Sequence, residues 1–336
     1  MTGWLRHRFR YIAAGLVACL LLLLIAGELV ARFYLGLGDP PLSVADPQVE
    51  YYFKPGTYHR IGHLIHYNAF SMRSDDISAT KSDPKQLRVL VIGDSVINGG
   101  VQTDQSELAT SLLQKKLSQR FGRPTFVGNI SAGSWGPPNE DAYLHKFGRF
   151  DADAVILEVS GHDGADAPTF EPVVGVVPEM PDHKPVSALW EGFTRYLIPR
   201  LRAGSPPPDP SVPEGSKPLS DMTLRRKECR DAIIDMADLC RSHGIPFAVM
   251  LYWAKDELEN GADPSQFVLL DAVKDKQIPL LNLEQKQRDA LRSGQVIFRD
   301  RIHPNVAGQR LISDALEPFI ENMVRTPAPA TTKSSH

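Results

Sequence analysis

Five short apolar runs, separated by segments of helical spacing, constrain the fold of this chain most. Continuous apolar runs of this length are typical of strands that are buried on both faces of a parallel sheet. Strands that alternate with helices predict a sheet covered by helices on both sides. The sequence therefore predicts an α/β fold: a doubly wound, flavodoxin-like parallel sheet of about five strands with helices on both faces. The predicted strands are residues 88–92, 125–130, 154–159, 246–252 and 279–283.

Four segments repeat apolar residues at helical spacing and alternate with these strands. They predict helices at 106–120, 220–243, 265–275 and 305–324. One segment breaks the alternation: residues 168–218 are rich in proline and are interpreted as an insertion. Within the insertion we predict a short helix at 190–201 and an exposed loop at 205–218.

The strands and helices make one globular domain at 87–325 rather than two. Residues 36–86 are polar, turn-rich and aromatic, and they predict an ordered lead-in with a short strand or two. Inside the lead-in, residues 72–76 are interpreted as a solvated turn. The tail at 326–336 is predicted to be disordered.

The first residues predict a membrane anchor. Arg6, Arg8 and Arg10 precede an uncharged apolar run at 11–27, and after Glu28 apolar residues continue to residue 31. About twenty residues span a bilayer, so the run suffices when Glu28 lies at the far interface. A cleaved signal peptide has the same order of basic and apolar residues. We favour an uncleaved anchor at 11–31, because the apolar run is long and the sequence around Glu28 is a weak cleavage site.

Charge and cysteine content narrow the function classes. The chain has 37 Lys and Arg against 40 Asp and Glu, so nothing indicates a nucleic-acid surface. His59, His63 and His66 have no carboxylate or cysteine at ligand spacing, and we predict neither a metal nor a cofactor. Cys229 and Cys240 fall about 16 Å apart on one predicted helix, too far for a disulfide.

Two distant motifs supply the parts of a hydrolytic triad. Gly93-Asp94-Ser95 follows the first predicted strand, at the edge of the sheet where catalytic groups gather. Asp300 precedes His303 by three residues, a spacing that lets one loop bring the carboxylate to the imidazole. A serine hydroxyl becomes nucleophilic when such a base can take its proton. We predict Ser95 as nucleophile, His303 as base and Asp300 as the acid that orients it.

These blocks resemble the SGNH, or GDSL, hydrolase superfamily across residues 87–321. The matching segments are Gly93-Asp94-Ser95, residues 129–134, Ser160-Gly161-His162-Asp163 and Asp300-x-x-His303-Pro304. The resemblance implies an esterase on a flavodoxin-like sheet, with the triad named above. It also implies an oxyanion hole formed by the N–H of Ser95, a glycine of the second block and an asparagine of the third.

The chain departs from the family pattern in both oxyanion blocks. The family's glycine usually lies five residues after Asn129, where this chain has Ser134; Gly133 lies one residue earlier. We keep Gly133 and Ser134 as joint candidates, with Gly136 in reserve. His162 replaces the asparagine, and we expect it to donate as a neutral imidazole or else to brace its loop.

Two residues within these blocks are predicted to play supporting roles. Asp163 is expected to hold the loop or the tautomer of His162, and Asp94 is expected to support the nucleophile turn. Trp135 either lines the pocket or belongs to the core; both interpretations stay open here.

Anchor and motifs together predict a single-pass protein of the inner membrane with a periplasmic catalytic domain, since basic residues mark the cytoplasmic end at 1–10. The expected substrate is an acylated carbohydrate, with O-acetyl groups of a polysaccharide removed or transferred. A lipase or thioesterase is a second enzymatic interpretation. A non-catalytic binding or scaffold protein of an envelope polysaccharide machine is the alternative from another class, and His162 favours it.

Overall fold

The central sheet of the computed structural model has five parallel strands in the spatial order β6-β5-β7-β8-β9. The structure describes residues 2–177, 179–198, 201 and 219–325. In chain order these five strands lie 2-1-3-4-5, the flavodoxin-like order, so the predicted α/β class and doubly wound sheet are confirmed. The strands are β5 (Leu87–Gly93), β6 (Thr125–Ser131), β7 (Ala154–Val159), β8 (Phe247–Leu251) and β9 (Leu280–Asn282).

Two groups of helices pack against the sheet. The helices in the described residues are α1 (Thr2–Phe33), α2 (Ser95–Asn98), α3 (Ala109–Phe121), α4 (Pro137–Phe147), α5 (Ala188–Glu191), α6 (Leu219–Ser242), α7 (Lys255–Asn260), α8 (Gln266–Asp275), α9 (Glu284–Arg292) and α10 (Val306–Arg325). α3 packs against α10, whereas α4 and α8 pack against α6. Every residue of β5, β7 and β8 is buried, which explains why these strands are mainly apolar in sequence.

The lead-in is more regular than predicted. Instead of a short strand or two, it holds two antiparallel hairpins. The first pairs β1 (Ser43–Asp46) with β2 (Glu50–Phe53), and the second pairs β3 (Gly56–Arg60) with β4 (His63–Tyr67). Their alternating side chains cover the domain on one face, and strands this short carry too weak a period-2 pattern to be counted from sequence.

The N-terminal helix and the insertion contact each other. α1 contains one candidate membrane span, His7–Phe33, by length and composition; a signal sequence would pass the same test. The predicted helix at 190–201 begins earlier, as α5, and continues as a π-helical segment Gly192–Leu197. The predicted loop at 205–218 and the predicted tail at 326–336 lie outside the described residues. Cys229 and Cys240 lie buried and unpaired in α6.

Candidate active site

Ser95 lies at the carboxyl end of the central strand β5, where α2 begins. Asp94 caps this helix, since its Oδ1 accepts a hydrogen bond from the backbone N–H of Val96 at 2.7 Å. Gly93 leaves room for the buried carboxyl group of Glu158, because a Cβ atom at Gly93 would lie 2.6 Å from Glu158 Oε2. The Gly93-Asp94-Ser95 sequence thus makes a tight strand-to-helix turn that presents a half-buried serine.

His303 lies against Ser95, and Asp300 lies against His303. The distance from His303 Nε2 to Ser95 Oγ is 2.9 Å, and His303 Nδ1 lies 3.0 and 2.9 Å from the two carboxylate oxygens of Asp300. A carboxylate on Nδ1 fixes the tautomer that leaves a lone pair on Nε2, and this nitrogen can accept the serine proton. The structure therefore brings together the three residues that the sequence predicts as nucleophile, base and orienting acid.

The carboxyl group of Asp300 is held in its charged form. Burial raises its pKa, but hydrogen bonds from the His303 side chain and from the backbone N–H groups of His303 and Ile302 outweigh this effect. The pKa of Asp300 therefore lies well below its usual range. The two backbone bonds measure 2.7 Å from His303 and 2.9 Å from Ile302, so the same carboxylate also shapes the loop.

Two side chains fix the histidine loop relative to the serine helix. Tyr252, just after β8, donates its hydroxyl to the carbonyl of Ile302 at 2.8 Å. Gln309 in α10 donates to the carbonyl of Val96 in α2 at 2.8 Å. Because both bonds are short and their partners are largely buried, they hold His303 at a fixed distance from the nucleophile turn.

Arg73 is a structural residue that the sequence analysis missed. The predicted solvated turn at 72–76 is wrong for its first three residues, which are buried, and Arg73 is 0% exposed. Its guanidinium donates to the backbone carbonyls of Asn98, Gly100 and, at 2.6 Å, Thr103. The carbonyl of Asn98 lies at the end of α2, and those of Gly100 and Thr103 lie just after it. Arg73 therefore satisfies acceptors that the nucleophile helix leaves without partners. A polar five-residue stretch gives no local sign of acceptors this distant in sequence.

We expect Arg73→Lys to lower the free energy of unfolding by about 2–4 kcal/mol, because an ammonium group cannot reproduce the guanidinium fork and leaves buried carbonyls unsatisfied. Urea denaturation measures this loss. Arg120→Lys is the matched control, since the Arg120–Glu321 pair lies on the surface and should change stability little. Equal losses in both variants would contradict the assigned role of Arg73.

The second oxyanion block lies beside the nucleophile turn. In the parallel β5–β6 ladder Gly93 pairs with Ser131, so Gly133 follows its strand at the same offset as Ser95 follows its own. Gly133 and Ser134 form a half-buried turn, and a Cβ atom at Gly133 would meet nothing within 4 Å. The N–H of Ser95 is in the first turn of a helix, where N–H groups have no intrahelical acceptor. Donors from both blocks therefore lie on one edge of the sheet.

Ser134 adopts a backbone conformation that glycine favours. Its φ angle is 61°, in the left-handed region. Serine at this position therefore holds the left-handed backbone conformation that glycine adopts most readily.

Two substitutions at Ser134 test this interpretation. We expect Ser134→Gly to change the free energy of unfolding by no more than about 1 kcal/mol, whereas Ser134→Val should lower it by about 1–2 kcal/mol because a β-branched side chain opposes positive φ. Thermal denaturation compares the two variants. Similar losses in both would mean that the serine side chain, and not the backbone conformation, matters here.

His162 lies between two carboxyl groups. Its Nε2 is 3.5 Å from Asp94 Oδ2 and 3.4 Å from Asp163 Oδ1, and its Nδ1 is 3.0 Å from Ser160 Oγ. Burial lowers the pKa of His162, but Asp163 and Asp94 outweigh burial and raise the pKa to about 10. This raised pKa favours an imidazolium over the expected neutral imidazole at neutral pH. Its contacts are those of a loop brace, the other interpretation offered by the sequence.

Buried acids surround this imidazolium. Glu158 and Glu140 are each 1% exposed, and burial followed by repulsion from neighbouring acids raises the pKa of both well above the usual range. Burial also acts to raise the pKa of Asp94, but His162 outweighs it and the pKa is lowered. Asp94 and His162 thus carry opposite charges while the two glutamates stay neutral. Ligand-type atoms of Asp94, His162 and Asp163 lie within 4.8 Å of one another, and the imidazolium supplies the positive charge among them.

The charge on His162 predicts a pH-dependent contribution to stability. A histidine whose pKa is raised on folding from 6.5 to about 10 stabilises the fold fully below pH 6.5, and this stabilisation is lost as pH rises through about 10. We expect the Tm difference between the native chain and His162→Gln to be widest near pH 6 and to close toward pH 10. A difference that does not change with pH would indicate packing rather than charge.

Three further predicted residues occupy supporting positions. Trp135 is 1% exposed and its indole N–H donates to the carbonyl of Tyr51 at 2.9 Å, so it belongs to the core and does not line an open pocket. Gly136 is also removed from the site surface, because a Cβ atom there would lie 1.9 Å from the carbonyl oxygen of Asp166. Asp163 accepts the backbone N–H of Ser160 at 2.6 Å and so closes its own loop.

Comparison with known proteins yields similar folds at low identity. No family model matches the chain, and no curated protein matches it. A two-domain esterase active on acetylated mannans has 14% identity and a TM-score of 0.45, covering 73% of this chain and 51% of its own. An acetyl xylan esterase has 16% identity and a TM-score of 0.43, covering 70% of this chain and 100% of its own. The psychrotrophic esterase EstA from Pseudoalteromonas sp. has 16% identity and a TM-score of 0.42, covering 71% of this chain and 99% of its own.

This chain spans about half the length of the two-domain esterase. Similarity at this level carries no argument about activity.

Proposed function

We propose that this chain is a membrane-anchored serine esterase that removes or transfers O-acyl groups, in particular O-acetyl groups of carbohydrate. One observation carries the proposal: Ser95 Oγ lies 2.9 Å from His303 Nε2, and Asp300 lies at hydrogen-bond distance on the other ring nitrogen. Nucleophile, base and orienting acid within such reach form a site for acyl transfer.

The proposed reaction has two steps. Ser95 Oγ attacks the ester carbonyl while His303 takes its proton, and the protonated imidazole then gives that proton to the departing alcohol. The acyl group stays on Ser95 until water, or a sugar hydroxyl, attacks its carbonyl while His303 takes the attacker's proton. The bond to Ser95 Oγ then breaks, and His303 returns the proton to this oxygen.

The developing oxyanion is bound by the N–H of Ser95 and by an N–H of the Gly133–Ser134 turn. Such donors contribute several kcal/mol because they are fixed before the charge develops.

Carbohydrate esters are proposed from the anchor and from the resemblance to the SGNH superfamily. A domain held on the outer side of a membrane faces envelope or secreted polysaccharide, so an acylated glycan is within reach. Basic residues before the span favour that orientation. We place the domain in the periplasm on the same ground.

A second candidate function is a non-catalytic carbohydrate-binding or scaffold protein. His162 favours it, because both ring nitrogens face groups of the protein: Nε2 faces Asp94 and Asp163, and Nδ1 faces Ser160. A site built for turnover would leave a donor of this block aimed at the oxyanion.

Ester hydrolysis by the full chain in detergent micelles, measured as release of the carboxylic acid, tests the two candidates. The substrates are an aryl acetate, an acetylated xylan and an aryl ester of a long fatty acid. We expect release from the first two and little from the third. Preference for the long-chain ester would favour a lipase or thioesterase, and no release from any substrate by the folded protein would favour the binding protein.

A further inference from the structure

A row of exposed apolar side chains lies on one face of the helical segment that begins at α5. Trp190, Phe193 and Leu197 follow one another at steps of three and four residues, which places them on the same face. Trp190 is 62% exposed and Leu197 is 46% exposed. The ring centroids of Trp190 and Phe193 lie 5.9 Å apart. We call these three side chains the apolar ridge.

The opposite face of this segment is fixed to the domain. Glu191 is 6% exposed and forms a bidentate ion pair with the buried Arg60, through contacts of 2.5 and 3.3 Å. Glu191 also accepts the backbone N–H of Gly38 at 2.5 Å. Ala188 is completely buried against Ala31 and Leu37. The ridge is therefore carried by a well-anchored element, and its exposure is not that of a loose loop.

The same segment is bonded to the last turns of the candidate membrane span. Glu28 accepts hydrogen bonds from the N–H groups of Ala188 and Leu189 and from the hydroxyl of Ser187, each at 2.9 Å. Leu189 packs on Gly27: a Cβ atom added at Gly27 would lie 3.3 Å from Cδ1 of Leu189. α5 thus begins at the level of Glu28, close to the place where an apolar run of about twenty residues leaves the hydrocarbon core.

The end of the candidate span also exposes aromatic side chains. Phe33 and Tyr34, at the end of α1, are 83% and 80% exposed. Tryptophan and tyrosine are enriched where protein meets the lipid headgroups, since their rings are apolar and their N–H and O–H groups remain hydrated. An exposed ridge of this composition at this depth matches the boundary between headgroups and acyl chains.

We propose that the apolar ridge lies in the membrane interface beside α1 and binds the lipid bilayer directly. This inference rests on the membrane anchorage included in the proposed function. A helix that is bonded to the anchor and inserted on its apolar face would give the domain a second attachment, and two attachments fix its orientation. The edge of the sheet that carries Ser95 and His303 would then be held at a fixed height and angle above the membrane, whereas a single helix alone would leave the domain free to rotate.

Tryptophan fluorescence tests this proposal because the chain has only four tryptophans. Trp135 and Trp253 are 1% and 8% exposed, which leaves Trp4 and Trp190 as the accessible reporters. The full chain is reconstituted into phosphatidylcholine vesicles whose acyl chains carry bromine near the headgroup. The variant Trp4→Phe reports on Trp190, and the variant Trp190→Phe reports on Trp4. The double variant supplies the background from the two buried side chains.

We expect brominated lipid to quench both reporters above the background of the double variant. Quenching of Trp4 without quenching of Trp190 would overturn the ridge proposal while leaving the anchor intact. Quenching of neither would overturn the anchorage itself. Emission from Trp190 that resists bromine but changes with the protein-to-lipid ratio would assign the ridge to a second copy of the chain, and would also overturn the proposal.

Discussion

Ser95→Ala is expected to reduce ester hydrolysis by at least about 10⁴-fold. The reason is that no other hydroxyl takes the place of Ser95 Oγ at 2.9 Å from His303 Nε2 among the described hydrogen bonds. Without the nucleophile, only the oxyanion donors and substrate binding remain, and these supply the residual rate. Initial rates on an aryl acetate and on an acetylated polysaccharide measure the effect.

Ser242→Ala is the matched control for this substitution. Ser242 lies at the exposed end of α6, where its hydroxyl donates to the carbonyl of Leu239 at 2.8 Å, far from the triad. It should retain full activity, and both variants should unfold at the temperature of the native chain. Hydrolysis by folded Ser95→Ala within tenfold of the native rate would reject Ser95 as nucleophile.

The strands of the sheet and the proximity of Ser95, His303 and Asp300 can be predicted from the sequence because both depend on short-range signals. Strands buried on both faces appear as mainly apolar runs, and the carboxyl ends of parallel strands meet at one edge. Gly93-Asp94-Ser95 follows such a strand, so its position could be inferred before its partners were known. The three-residue separation of Asp300 and His303 likewise lets one loop bring the carboxylate to the imidazole, so this contact can be predicted from the sequence alone.

The features that the sequence leaves open depend on contacts between distant segments. Arg73 meets carbonyls about thirty residues further along, in Asn98, Gly100 and Thr103, and nothing in its neighbourhood indicates burial. The raised pKa of His162 depends on Asp163, its neighbour in sequence, and also on Asp94, which is far away in sequence and adjacent in space. A charge state set by packing cannot be read from residue types alone.

The sequence alone also does not decide the lead-in hairpins or the burial of Trp135, for a related reason. Short strands have few residues on which a period-2 pattern can be recognised. An aromatic residue beside a catalytic block fits a pocket and a core equally well until its neighbours are known. The hydrogen bond from the Trp135 indole to the carbonyl of Tyr51, in the first lead-in hairpin, shows that Trp135 belongs to the core.

Asp300→Asn should lower kcat by about 10²–10⁴-fold with little change in KM. An asparagine keeps an oxygen that can accept the N–H groups of Ile302 and His303, so the loop should hold its shape. Its amide nitrogen, however, is a donor, and it favours the histidine tautomer with the proton on Nε2. That nitrogen then faces Ser95 with a hydrogen and cannot accept the serine proton.

This substitution separates orientation of the base from folding of the loop. Asp314→Asn is the control, since Asp314 pairs with Lys116 on the surface of α10 and takes no part in the site. The rate at which a fluorophosphonate labels Ser95 should fall in parallel with kcat in Asp300→Asn, and the unfolding temperature should stay close to the native value. If labelling and turnover both persist within a few-fold, Asp300 acts on the loop through its backbone bonds alone, and His303 is positioned by Ser95 and the packing around Tyr252 without help from a carboxylate.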